Sequence, residues 1–167
     1  DIQQLDDLLL MKNLRHVVLI YQNITTIEPL AQLPYLEYVD LRHNPIEDVS
    51  PLSRASELSV LILFDTHVSD LSALSDCAHL STLDLGSTLV QSFAALNGLD
   101  SLRMLCIRRT PLQSLVGITE HPHLEEIYIS ETNVNDFSLL LDLPDLQSVH
   151  VGEEDRKGIN ELGSGYT

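Results

Sequence analysis

Residues 31–52 read AQLPYLEYVDLRHNPIEDVSPL, and the fold is decided by how this stretch is spaced. Its apolar residues Leu33, Leu36, Val39, Leu41, Ile46, Val49 and Leu52 stand 3, 3, 2, 5, 3 and 3 residues apart. The spacing of two places Val39 and Leu41 on one side of an extended chain, because strand side chains alternate. The stretch therefore predicts one short strand followed by a return path of similar length.

The same frame of 22 residues continues in both directions. It runs forward through 53–74, 75–96, 97–118, 119–140 and 141–162, and backward through 9–30. Seven repeats thus fill residues 9–162 without insertion or deletion. Of the 49 slots in the seven apolar columns, only His121 and Arg156 are not apolar. A chain that is 44% apolar would fill about 22 of them by chance, so the repeat is a strong signal. Each return path is too short for a crossover helix and two loops. Parallel neighbouring strands with turns and 3-10 pieces between them are expected instead. Pro29, Pro34, Pro51, Pro111, Pro122 and Pro144 agree with a non-helical return side.

With these residues in view, Leu36-x-x-Val39-x-Leu41-x-x-Asn44-x-Ile46 resembles the leucine-rich-repeat consensus. The repeat length, with Ile46, Val49 and Leu52 at three-residue spacing, resembles the internalin-type class. The resemblance covers nearly the whole chain. It implies an α/β solenoid, a right-handed superhelix with a parallel concave sheet of about seven short strands and a convex side of turns and 3-10 segments. It also implies a bacterial protein that recognises another protein through the concave sheet. The family's asparagine column departs from the pattern here, reading Gln22, Asn44, Thr66, Thr88, Thr110, Thr132 and Glu154. In the family that column satisfies buried turn groups. Threonine hydroxyls, which both donate and accept, are expected to do the same.

At the N-terminus, Ile2, Leu5 and Leu8 fall on the last apolar columns of a repeat whose strand is absent. Residues 1–8 are read as the tail of an incomplete preceding repeat, with a native cap as the alternative. Residues 141–162 look like a capping repeat, since Arg156 replaces a core residue, and 163–167 read as a flexible tail.

The formal net charge of -16 argues against nucleic acid or anionic membrane as partners. No apolar run approaches the ~20 residues of a membrane span. Cys77 sits in a core column and Cys106 on a strand position of the other side, so no disulfide is expected. Two unpaired thiols favour a reducing compartment, whereas the sequon Asn23-Ile24-Thr25 and the internalin resemblance favour export. Cell surface and cytoplasm both stay open.

Setting the core columns aside leaves two features on the exposed strand positions. Val18, Ile20, Tyr21, Tyr38, Val60, Ile62 and Phe64 form an apolar patch on the first three strands. A foreign partner, an absent N-terminal domain or a second copy of the chain are the alternatives for covering it. Arg108 and Arg109, with Arg42, concentrate positive charge on the same side of an acidic protein. They suit either a partner's carboxylates or the chain's own Asp40, Asp84 and Glu131 on adjacent strands.

Enzyme readings fail on spacing. Cys106 and His150 lie two repeats apart, about 10 Å at the ordinary strand separation, beyond the reach of a nucleophile and its base. His121-Pro122-His123 lacks a third ligand, so no metal is expected, and no glycine-rich loop points to a cofactor. The leading expectation is a protein-interaction module that contacts an unknown protein through Tyr38, Arg42, Ile62, Phe64, Arg108, Arg109 and Tyr128. The rivals are a spacer or oligomerisation segment of a larger surface protein, and a regulatory arm of an enzyme outside this chain.

Overall fold

Each repeat contributes one three-residue strand whose central residue faces inward. In the computed structural model, which describes residues 5–93, 96 and 98–152, these strands are β1 (His16–Val18), β2 (Tyr38–Asp40), β3 (Val60–Ile62), β4 (Thr82–Asp84), β5 (Met104–Cys106), β6 (Glu126–Tyr128) and β7 (Ser148–His150). They form one parallel sheet in chain order. The register is constant, so that Val39 faces Leu61 and Leu61 faces Leu83 at one-repeat offsets. The central residues Val39, Leu61, Leu83, Leu105 and Ile127 are fully buried. The other side is built from short 3-10 helices at Leu5–Leu10, Glu28–Gln32, Ser50–Arg54, Ser72–Asp76, Ile118–Glu120 and Ser138–Asp142. Pro29 and Pro51 stand at the start of two of them, where a missing N–H costs nothing. The parallel strands and 3-10 returns expected from the spacing, and the leucine-rich-repeat architecture that the resemblance implies, are the architecture observed.

The sheet ladder continues past the strands. The backbone N–H groups of His43, Asp65, Ser87 and Arg109 donate to the carbonyls of Phe64, Gly86, Arg108 and Ser130 in the next repeat, at 2.8–3.0 Å. All four donors, with Tyr21 and Glu131, hold φ between 55° and 59° without being glycine. The left-handed turn costs roughly 1 kcal/mol per residue. The cross-repeat bond and the packed turn behind it hold it in place.

That turn is fastened in two ways. The Asn44 side chain accepts from the N–H groups of Gln22 and Ile24, both at 3.0 Å, and donates to the carbonyls of Leu19 and Leu41 at 2.6 and 2.8 Å. It thus joins two repeats. The threonines do less than expected of them. Thr66, Thr88 and Thr110 donate only within their own turns, to Leu63, Leu85 and Ile107 at 2.6–2.8 Å. The cross-repeat link is made instead by the backbone. His67, Leu89 and Asn133 donate to the carbonyls of Ile46, Val68 and Leu112 at 2.8–2.9 Å. Pro45 and Pro111 hold the equivalent positions in their repeats and have no N–H to give.

The ends fray in packing, with Leu8, Leu14, Leu146, Val149 and Val151 only partly buried. Leu5 is buried and opens the first 3-10 helix. Ile2, Glu154 and Arg156, the outer part of the repeat read as a cap and residues 163–167 lie outside the described residues.

His121 occupies a core slot and is fully buried. Its Nδ1 lies 3.4 Å from the Leu99 carbonyl and its Nε2 has no partner among the described residues. Desolvation lowers its pKa from the ordinary value near 6.5, because a second proton would sit on an unpartnered nitrogen in the core. A histidine whose folded pKa is lowered contributes full stability above about pH 6.5 and loses it as pH falls from there towards the folded value. His121→Leu matches Leu99 and Leu143 in the same column. It should raise stability at pH 7 by about 1 kcal/mol. It should also flatten the loss between pH 6.5 and 5, measured by urea unfolding at each pH. An unchanged acid slope would show that His121 is not its source.

Candidate functional site

The exposed positions of the sheet do not behave alike. Among the apolar patch, Val18 and Tyr21 are open, at 56% and 71% exposure, because nothing described covers the free side of β1. Ile20, Tyr38, Val60, Ile62 and Phe64 are only half-buried, each shielded by its neighbours one repeat away. Asp40 and Cys106, expected on the open face, are buried. Burial pushes the Cys106 thiol up to about 12, with the Asp84 carboxylate adding to it, so it stays protonated at neutral pH. Its distant would-be base, His150, is engaged elsewhere, with Nε2 at 2.7 Å from Glu126 Oε1.

The three arginines separate. Arg42 folds back over Asp40 of its own strand, with Nη2 2.6 Å from Oδ2 and Nε 3.0 Å from the same oxygen. The partner expected on an adjacent strand is thus found two residues away on the same one. Arg109 Nε donates to Glu131 Oε2 at 2.9 Å, across one repeat, which lowers the Glu131 pKa. Arg108 makes no ion pair among the described residues. Its guanidinium carbon instead lies over the Phe64 ring, 5.2 Å from the centroid.

That contact skips a repeat, and Gly86 makes it possible. Phe64, Gly86 and Arg108 occupy the same position in three successive repeats. A Cβ on Gly86 would meet Phe64 Cδ2 at 2.7 Å, so the ring lies directly over the glycine. On the other side, His43 meets Phe64 edge-on at 5.5 Å and stacks flat on Tyr21 at 4.1 Å. The His43 Nδ1 is fixed 2.8 Å from Asp65 Oδ2. Tyr21, His43, Phe64 and Arg108 therefore form one continuous row along the ends of β1–β5. Reading the sequence for isolated exposed residues missed His43 and Gly86 as members of this row.

Tyr38 and Ile62 flank the row on β2 and β3. Tyr128 belongs to a second cluster. It stacks on His150 at 4.1 Å, and its hydroxyl donates to Glu126 Oε1 at 2.8 Å. These two partners lower the Glu126 pKa, and the carboxylate raises that of Tyr128. His121 and His123, adjacent but for Pro122, diverge into the core and onto Asp145. Among the described residues no group of three or more metal-binding side chains converges. No helix there is long and apolar enough to cross a membrane.

A family model described as leucine-rich repeats in two copies matches residues 12–54. No curated protein sequence matches the chain. Among solved structures, an internalin (InlF) of Listeria monocytogenes aligns with a TM-score of 0.79 at 25% identity, covering 87% of this chain and 44% of that one. Internalin C2 of the same species aligns at 0.70 and 24% identity, covering 87% of this chain and 74% of its own. A leucine-rich-repeat protein of Leptospira interrogans aligns at 0.70 and 20% identity, covering 88% and 45%. The chain thus spans less than half the length of the first of these structures. Its fold is that of the leucine-rich-repeat solenoids, which in general serve as protein-interaction scaffolds.

Proposed function

We propose that this chain binds a protein partner across its concave sheet, with Tyr21, His43, Phe64 and Arg108 at the centre and Tyr38, Ile62 and Arg42 around them. The observation that carries this reading is the row itself. Four large side chains from four repeats hold one another in place at the open edge of the face, so little side-chain freedom is lost on binding. Aromatic residues and arginine are also the side chains on which binding energy concentrates at interfaces. Arg109 and Tyr128, already held by Glu131 and Glu126, would form the rim. Nucleic acid is a poor fit for a face that carries Asp65, Asp84, Glu126 and Glu131.

The test is affinity capture from cell extract with quantitative mass spectrometry, comparing the chain with a Phe64→Asp, Arg108→Glu double variant whose fold is checked by circular dichroism. A protein held by the native chain and released by the folded variant is the expected result. Identical captures by the two would remove the row as the site and bring the spacer reading forward. Capture of the chain itself would turn the face into a self-association surface.

A further inference from the structure

We propose that Arg108, stacked on Phe64, receives a carboxylate of the partner, from an aspartate or glutamate set beside an apolar residue that rests on the Phe64 ring. This inference rests on the protein-binding reading above and adds the chemistry of what is bound. The guanidinium lies over the ring, 5.2 Å from its centroid, and makes no ion pair among the described residues, with Glu131 acting on it only through space. Its N–H donors are thus oriented but not consumed, the condition that favours a bidentate carboxylate. The acids of the neighbouring repeats are engaged with other groups. Asp40 holds Arg42, Asp65 holds His43 and Glu131 holds Arg109. Asp84 Oδ1 accepts from the Gly86 N–H at 2.9 Å.

Those same acids set the valence of the ligand. They place negative charge on the same face of a chain of net -16, and Glu131 acts on Arg108 itself. A single carboxylate can reach the guanidinium with one strong contact, whereas a polyanion or a run of acids would meet them all. The segment recognised is therefore apolar with one acid, not acidic throughout. Gly86 is the specificity element. A larger residue there would lift the Phe64 ring away from its seat and unhitch Arg108 while leaving both side chains present.

The experiment is selection of a random peptide display library on the immobilised chain. Individual winners are then titrated against Phe64→Asp, Arg108→Gln, Arg108→Lys and Gly86→Ala, each confirmed as folded by its thermal melt. The expected winners carry one Asp or Glu beside an aliphatic or aromatic residue. Arg108→Gln and Gly86→Ala should each weaken them about tenfold, with Arg108→Lys between native and Gln. Winners that depend on Phe64 but bind Arg108→Gln within twofold, or that are enriched in Lys and Arg, would overturn the carboxylate assignment and leave the binding face standing. A selection yielding nothing that depends on Phe64 would overturn both.

Discussion

Asn44→Ala is expected to destabilise the chain by about 3 kcal/mol, the largest stability effect of any single polar substitution among the described residues. The side chain is buried, accepts two backbone N–H groups and donates to three carbonyls, those of Leu19, Leu41 and Arg42, across two repeats. Alanine leaves the N–H groups of Gln22 and Ile24 and the carbonyls of Leu19 and Leu41 without that partner, and a buried unsatisfied group costs roughly 1–3 kcal/mol. Solvent that reaches the opened turn offsets part of this. Asn44→Thr should cost about half as much, because a threonine in this column keeps the bond within its own turn, as Thr66 does to Leu63. Chemical denaturation gives the size of the effect. Hydrogen exchange places it, since the amides of Gln22 and Ile24 should lose protection before those of β3–β5. A threonine variant as unstable as the alanine one would show that the cross-repeat bonds contribute nothing.

Once a partner is in hand, Phe64→Ala should weaken its binding about a hundredfold and Arg108→Gln about tenfold, the range of residues at the centre of an interface. Phe64 has the larger effect because removing it also frees Arg108 and withdraws the edge that His43 meets. The two effects should not add. Contacting residues of this kind are coupled by about 1 kcal/mol, so the double variant should bind about fivefold better than the product of the singles implies. Val116→Ser and Leu141→Ser, on exposed residues of the 3-10 side at 72% and 51% exposure, should stay within twofold of native. Calorimetric titration of the five variants beside the native chain checks the set. An effect at Val116 or Leu141 matching that at Phe64 would place the interface on the wrong side of the solenoid.

The fold was legible because burial repeats. Each core column carries the same demand in every turn of the solenoid, so even a single chain states the pattern seven times. The left-handed turn was not legible. Tyr21, His43, Asp65, Ser87, Arg109 and Glu131 share no chemistry that announces a positive φ, because backbone bonds to the next repeat hold the geometry. The exposed positions were half legible. Alternation alone put Asp40 and Cys106 on the open face, whereas neighbouring side chains close over both. The pairing of arginines could not be read from column positions, since Arg42 finds its acid two residues away and Arg109 one repeat away. The signal for Gly86 was present in the sequence as a glycine between an aromatic residue and an arginine in one column. It becomes informative only when the column is read for size as well as polarity.

The backbone links between turns also bear on how the array would come apart. In a solenoid each unit touches only its neighbours, so the whole resists pulling no better than its weakest joint. Most joints have a clasp at the same place, from His67, Leu89 or Asn133 to the repeat before. Where Pro45 leaves the clasp out, Asn44 reaches across the joint in its stead. Where Pro111 leaves it out, Thr110 turns inward to Ile107, and among the described residues no side chain of that column bridges the joint. Drawn from both ends, the described part of the chain is expected to part there first, just before the repeat that carries Arg108, so tension would pull the arginine away from its ring before it unravelled either half.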